Sequence, residues 1–204
     1  MGSATVSDGF RVGDGFTLRD EFTVREALDG YFEAAGLPAD GGYAQKWVKL
    51  QVGRVFVFAF PNTQSRIRAV KFHDIHHLAT GYETTWTGEA EIGAWEIASG
   101  CADHTAAWIL NLYAMALGLC FAPRAVYRAF VRGRHSRNCY RECYDEALLE
   151  QKIGSLRERL GLRSAETLSR PADGAVFVGW SMAGLMFQFV SGLPLYALLF
   201  WLIA

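Results

Sequence analysis

Hydrophobic and polar positions change period several times along the chain. Val24, Ala27, Leu28, Tyr31 and Phe32 recur at helical spacing behind Thr23-Val24-Arg25-Glu26, where Thr and Glu stand as in a capping box, and Gly36 and Pro38 end the pattern. From Trp47 to Phe60 the pattern becomes an alternation of β-branched and aromatic residues around Gly53-Arg54, which predicts a hairpin or two extended segments. An apolar run this short also suits a buried helix. Pro61-Asn62 closes the run and offers Asn62 as N-cap of a helix through Arg66, Arg68, Lys71 and a histidine-rich group. Gly81-Tyr82 breaks that helix, and a second begins near Thr84 to Thr87 and continues through Glu89, Ile92, Trp95 and Glu96 to Ser99-Gly100. Ahead of all this, Asp-Gly-Phe occurs twice, at Asp8 and Asp14, and reads as a loosely ordered arm or small hairpin.

Two stretches carry no charge. The first, Thr105 to Pro123, is near the length needed to span a bilayer and equally suits a helix buried all round. Arg124, Arg128, Arg132, Arg134, Arg137 and Arg141 follow it, either as a solvated face or as a site for anionic head groups, with Arg124, Arg128 and Arg132 as the candidates. Tyr144 to Gly161 reads as an amphipathic helical stretch, and Pro171-Ala172-Asp173-Gly174 as a linker. The second uncharged stretch, Gly174 to Ala204, predicts a membrane-inserted helix or helical hairpin, with Gly192-Leu193-Pro194 as the place where it would kink or split. The fold class expected is therefore mainly α: an arm over 1–22, one helical metal-binding domain over 23–170 with a short extended or hairpin segment near 47–60, and a hydrophobic tail over 174–204.

Composition changes this picture little. A chain of 204 residues with a net charge of -1 has no global field for nucleic acid, while 14% aromatic residues and a slightly positive mean hydropathy fit contact with lipid. Cys101, Cys120, Cys139 and Cys143 form no CxxC pair; they read as packing residues in a reducing compartment, with Cys139 and Cys143 spaced as neighbours on one helix face. Met1 to Thr5 lacks the basic and apolar regions of a secretory signal, and Gly2 has no nearby polybasic patch to support a myristoyl anchor. Counting positive residues places the arginine-rich side, and with it the active domain, in the cytoplasm.

The chemistry concentrates in His73-Asp74-Ile75-His76-His77 and Glu89. On an ideal helix His73, Asp74 and His77 lie within about 100° of arc and can converge. Glu89, twelve residues after His77, would be roughly 18 Å away on an unbroken helix and joins them only if the chain turns back at Gly81. Two imidazoles and two carboxylates suit Zn(II), Fe(II) or Mn(II) and fit Cu(I) or Ca(II) poorly. His76 points elsewhere, toward a supporting or substrate-side role. His73, His76 and His77 also spell the HxxHH box of membrane desaturases, but those enzymes need about eight histidines and the chain has five. An HD-type phosphohydrolase would require further ligands that only Asp103-His104 offers.

The pattern His-Asp-x-x-His, eleven residues, then Glu resembles the metal-binding signature of the coenzyme Q biosynthesis family Coq-four, matched here by His73, Asp74, His77 and Glu89. Gly81-Tyr82-x-Thr84 with Gly88-Glu89, and Leu-Arg-x-x-Leu-Gly from Leu156 to Gly161, extend the likeness more weakly over about 61–161. The resemblance implies a mostly helical protein of late ubiquinone synthesis, acting in oxidative decarboxylation and hydroxylation at C1 of a polyprenylated aromatic ring within a multiprotein complex. It also implies a metal held by His73, Asp74, His77 and Glu89, with the prenyl chain along the helix from Thr105. The competing expectation is a non-catalytic lipid-binding scaffold in which the metal is structural.

Overall fold

The computed structural model describes residues 10–12, 16–52, 55–162 and 169–203. It is mainly helical, with two small antiparallel hairpins among the described residues, one on each side of the first helix. Strands β1 (Phe10–Val12) and β2 (Phe16–Leu18) pair antiparallel. Leu18 is buried, and Ile153 and Gly154 donate backbone hydrogen bonds to Phe22 and Asp20, so the end of the expected arm is fastened to the core. Helix α1 (Val24–Ala34) begins with the Thr23–Glu26 capping box and buries the five residues that the helical spacing selects.

The alternating segment forms an antiparallel hairpin of β3 (Trp47–Val52) and β4 (Val55–Pro61), with a register irregularity at Leu50/Gln51; its expected turn, Gly53-Arg54, lies outside the described residues. Helix α2 (Gln64–Thr80) follows, and its N-cap is Thr63 rather than Asn62. Asn62 ties the elements together instead: its amide donates to the Tyr43 and Gln45 carbonyls, and its oxygen accepts from Arg66. Helix α2 ends on Gly81 in the left-handed conformation (φ 81°), which favours glycine, and the chain turns back into α3 (Trp86–Ser99), capped by Thr85.

Helix α3 is the centre of the bundle, packed against α4 (Thr105–Phe121) and α5 (Pro123–Arg134). Trp95, Phe130, Ile92 and Val126 are fully buried there. Helix α4 is not buried all round: Ala107, Asn111, Met115, Ala116 and Gly118 are buried, while Ile109, Leu110, Leu117 and Phe121 are exposed.

Residues 135–145 are irregular, so Cys139 and Cys143 share no helix face. Cys139 and Cys101 are buried, whereas Cys120 and Cys143 are exposed and are not packing residues. The amphipathic stretch after Tyr144 divides into α6 (Glu146–Leu149) and α7 (Ile153–Arg159), separated where Lys152 bridges to Thr23.

The expected linker at 171–174 is the first turn of one continuous helix, α8 (Pro171–Ile203), which runs through Pro194 without splitting into a hairpin. Within it Pro171–Leu193 is long and apolar enough to cross a membrane, and few of its residues are buried. Helix α8 packs on α4 through Trp108 stacked on Trp180, and on α5 through Phe177 against Tyr127 and Phe130. Asp173 pairs with His135 at 2.9 Å.

Candidate metal centre

The reversal at Gly81 sets the first turn of α3 beside the last two turns of α2. His73 and His77, one helical turn apart, point their Nε2 atoms at each other at 3.1 Å. Glu89 closes the third side, with its carboxylate oxygens 3.5 Å from His73 Nε2 and 3.4 Å from His77 Nε2. Ligand atoms bound about 2.0–2.1 Å from one metal ion, at tetrahedral or right angles, lie roughly 2.9–3.4 Å apart. The three side chains therefore sit near metal-ligand separation, and all three offer their ligand atoms within 4.8 Å of one another.

Hydrogen bonds at the other ring nitrogens fix which atom is free to bind. His77 Nδ1–H donates to the Tyr82 carbonyl at 2.8 Å, and His73 Nδ1–H donates to Glu96 Oε1 at 3.0 Å. With both Nδ1 atoms acting as donors, both Nε2 lone pairs face the same small space. Two such lone pairs at 3.1 Å repel unless a proton or a cation lies between them.

Glu96, two turns beyond Glu89 on α3, supports the whole arrangement and was not singled out by sequence reasoning. It is fully buried, and each of its oxygens accepts two hydrogen bonds. Oε1 receives His73 Nδ1–H and, at 2.7 Å, His76 Nδ1–H; Oε2 receives the Tyr140 hydroxyl at 2.6 Å and the Asn111 amide. Burial opposes its ionisation, but His73 and the hydrogen bonds from His73 and His76 outweigh that and hold its pKa below the usual carboxylate range. A signal for it exists in the sequence: one carboxylate inside Ile92-Gly93-Ala94-Trp95-Glu96-Ile97, together with Asn111 in the otherwise apolar α4.

His76 sits apart from the cluster, as its position on the helix suggests. Its Nε2 accepts the Cys139 backbone N–H at 2.9 Å and its Nδ1–H goes to Glu96, so both nitrogens are consumed. Burial lowers its pKa, which keeps it neutral in this role.

Asp74 stands outside the converging group. One residue after His73, it is turned about 100° around the helix and accepts the Tyr43 hydroxyl at 2.5 Å. Burial raises its pKa, with the Tyr43 hydrogen bond opposing, and burial together with Asp74 raises that of Tyr43. The geometry thus brings together His73, His77 and Glu89, and leaves Asp74 as a neighbouring buried acid.

His73 and Glu89 are tied electrostatically. Burial opposes charge on His73, but Glu96 and Glu89 overcome it and raise its pKa well above the ordinary histidine value. Burial would raise the pKa of Glu89, yet His73 and His77 hold it far below the ordinary value. A proton on His73 Nε2 and a metal ion therefore compete for one lone pair.

The arginines divide. Arg132 donates to the Thr80 carbonyl at 2.8 Å and lies over the Tyr82 ring, so it fastens the end of α2 and the turn that positions His77 and Glu89. Arg124 and Arg128 are exposed. A cleft of 650 Å³ between Lys71, Phe72, His104 and Tyr144 does not include His73, His77 or Glu89. Comparison of the chain with family models, with curated proteins and with solved structures finds no match.

Proposed function

We propose that this protein is a metal-dependent enzyme acting on a prenylated aromatic ring at a membrane, in the chemistry of ubiquinone synthesis, with decarboxylation and hydroxylation at C1 as the reaction. The observation that carries the proposal is a site of two imidazoles and one carboxylate with Asp74 outside it. Four protein ligands would close a tetrahedral zinc site, as a structural metal requires, whereas three leave a position for substrate. Two histidines and one carboxylate with open positions are also the ligand set of non-haem Fe(II) oxygenases. The resemblance of His73-Asp74-x-x-His77 and Glu89 to the Coq-four signature supports the substrate class.

His73 Nε2, His77 Nε2 and Glu89 would hold the metal, Fe(II) by preference and Zn(II) or Mn(II) as alternatives. Such an ion supplies Lewis acidity toward a ring carboxylate and, as iron, redox chemistry with dioxygen. Glu96 holds the His73 ring in the tautomer that presents Nε2, and the Tyr82 carbonyl does the same for His77. Asp74, buried, hydrogen-bonded to Tyr43 and raised in pKa, is placed to hold a proton beside the site. An HD-type phosphohydrolase would need further ligands from Asp103-His104, and there Asp103 pairs with Arg68 while His104 Nε2–H donates to the Tyr140 carbonyl. The active domain on the cytoplasmic side, and association with other proteins of the pathway, belong to the same proposal.

The test is rescue of a strain unable to decarboxylate the quinone precursor by the wild-type chain, His77→Ala and Glu89→Ala. Rescue by the wild type and by neither variant is expected; full rescue by both variants would overturn the catalytic reading.

A further inference from the structure

We infer that α4 and the first two-thirds of α8 lie side by side in the surface of an anionic lipid bilayer, as one in-plane apolar face, and that Pro171–Leu193 does not cross the membrane. This rests on the reading of α8 as a lipid-contacting helix and is independent of the metal site.

On α4, Ile109, Leu110, Leu117 and Phe121 are each at least 40% exposed and fall within about 120° of arc. The exposed large apolar residues of α8, from Val178 to Leu193, fall within about 140° of arc by the same count. The two stripes adjoin: Tyr113, between Leu110 and Leu117, packs its ring on Phe187 and bonds Ser191 through its hydroxyl. A contiguous apolar face of this extent marks a lipid or protein interaction surface.

Packing decides against a crossing at Pro171–Leu193. Asp173 pairs with His135, Phe177 lies between Tyr127 and Phe130, and Gly184 meets Leu112 and Ala116. A span over these residues would draw α5 and its arginines into hydrocarbon, where each is costly. An in-plane helix needs no such transfer, because it buries one face only.

Charge selects lipid as the occupant. No acidic side chain occurs on α4 or on α8 after Asp173, and the exposed Arg124 and Arg128 follow directly on Phe121 at the end of the α4 stripe. An apolar stripe running into exposed cations matches acyl chains beneath anionic head groups.

The experiment adds the full chain, tagged at its C-terminus, to preformed vesicles of phosphatidylcholine with and without phosphatidylglycerol. Wild type should bind, with its tag open to protease from outside. The α4 pair Leu110→Glu with Leu117→Glu should lower vesicle partition at least ten-fold while far-UV circular dichroism and metal binding stay unchanged. Arg124→Ala and Arg128→Ala should each lose about five-fold, in the anionic vesicles alone. A tag protected inside the vesicles, or an α4 pair that binds as wild type does, would overturn the proposal. So would an α4 pair that turns a dimer into a monomer with vesicle binding unchanged, since a second copy would then cover the face. Loss of metal binding in wild type would instead sink the metal centre and leave this inference standing.

Discussion

The interior around Glu96 and the outer face of α4 and α8 depart from the usual distribution of residues in opposite directions. Around Glu96 a buried carboxylate, two histidines, a tyrosine and an asparagine are gathered where apolar packing would be the default, and every polar atom of the carboxylate has a partner. Along α4 and α8, large apolar side chains stand exposed with no charge among them. Buried polar groups are costly unless fully satisfied, and a half-exposed apolar face gains little from folding. The first region is thus held by the fold and can be lost with it, whereas the second can change without the fold noticing.

Glu96→Ala attacks the first region hardest. It leaves the donors of His73, His76, Tyr140 and Asn111 without their acceptor, and should cost about 3–5 kcal/mol, or about 10 °C in melting temperature. Differential scanning calorimetry checks it, and a change under about 1 kcal/mol would show that the network is dispensable. Glu96→Gln keeps the volume but loses the charge and one pair of acceptors. Metal affinity should fall about 10- to 100-fold in a chelator competition, with the fold retained.

A change in the turn should act on the same site from its edge. Gly88 precedes Glu89, and a Cβ there would overlap the Glu83 carbonyl. Gly88→Ala should therefore displace Glu89 and weaken metal binding about ten-fold, the scale for a misplaced ligand; calorimetric titration reads it.

Acidity gives a smaller effect with a definite sign. The His73 pKa is raised, so its proton must leave before a metal binds, and affinity should fall up to about ten-fold per unit as pH is lowered beneath that raised value. In the metal-free protein the sign reverses. A raised histidine adds stability that is complete below its unfolded pKa of about 6.5 and is lost as pH rises through the folded value. Smallest of all, Leu110→Glu with Leu117→Glu should change unfolding free energy by no more than about 0.5 kcal/mol per site, against several for Glu96→Ala.

The comparison also explains what was legible in the sequence. The capping box at Thr23, the alternation between Trp47 and Phe60, the break at Gly81 and the uncharged α4 and α8 are all local patterns, and each appears in the fold. His73, His77 and Glu89 were legible because helical spacing and one glycine turn are enough to bring them together. Asp74 was assigned with them because spacing gives arc, not the hydroxyl of Tyr43 that captures its carboxylate. Glu96 escaped because its partners come from α2, α4 and the loop holding Tyr140, and no sequence window contains them. Arg132 looked like its neighbours on α5, and only the carbonyl of Thr80 across the bundle separates it from them.

The central claim is that His73, His77 and Glu89 hold a metal with an open coordination position. Cobalt(II) titration of the purified full chain, followed by visible absorption, tests it most directly. The account predicts one equivalent bound in a site of low coordination number, a spectrum that shifts when a small carboxylate ligand is added, and loss of the signal in His77→Ala with the helical fold intact. A protein that binds no cobalt, or one whose spectrum is unchanged in His77→Ala, would contradict it.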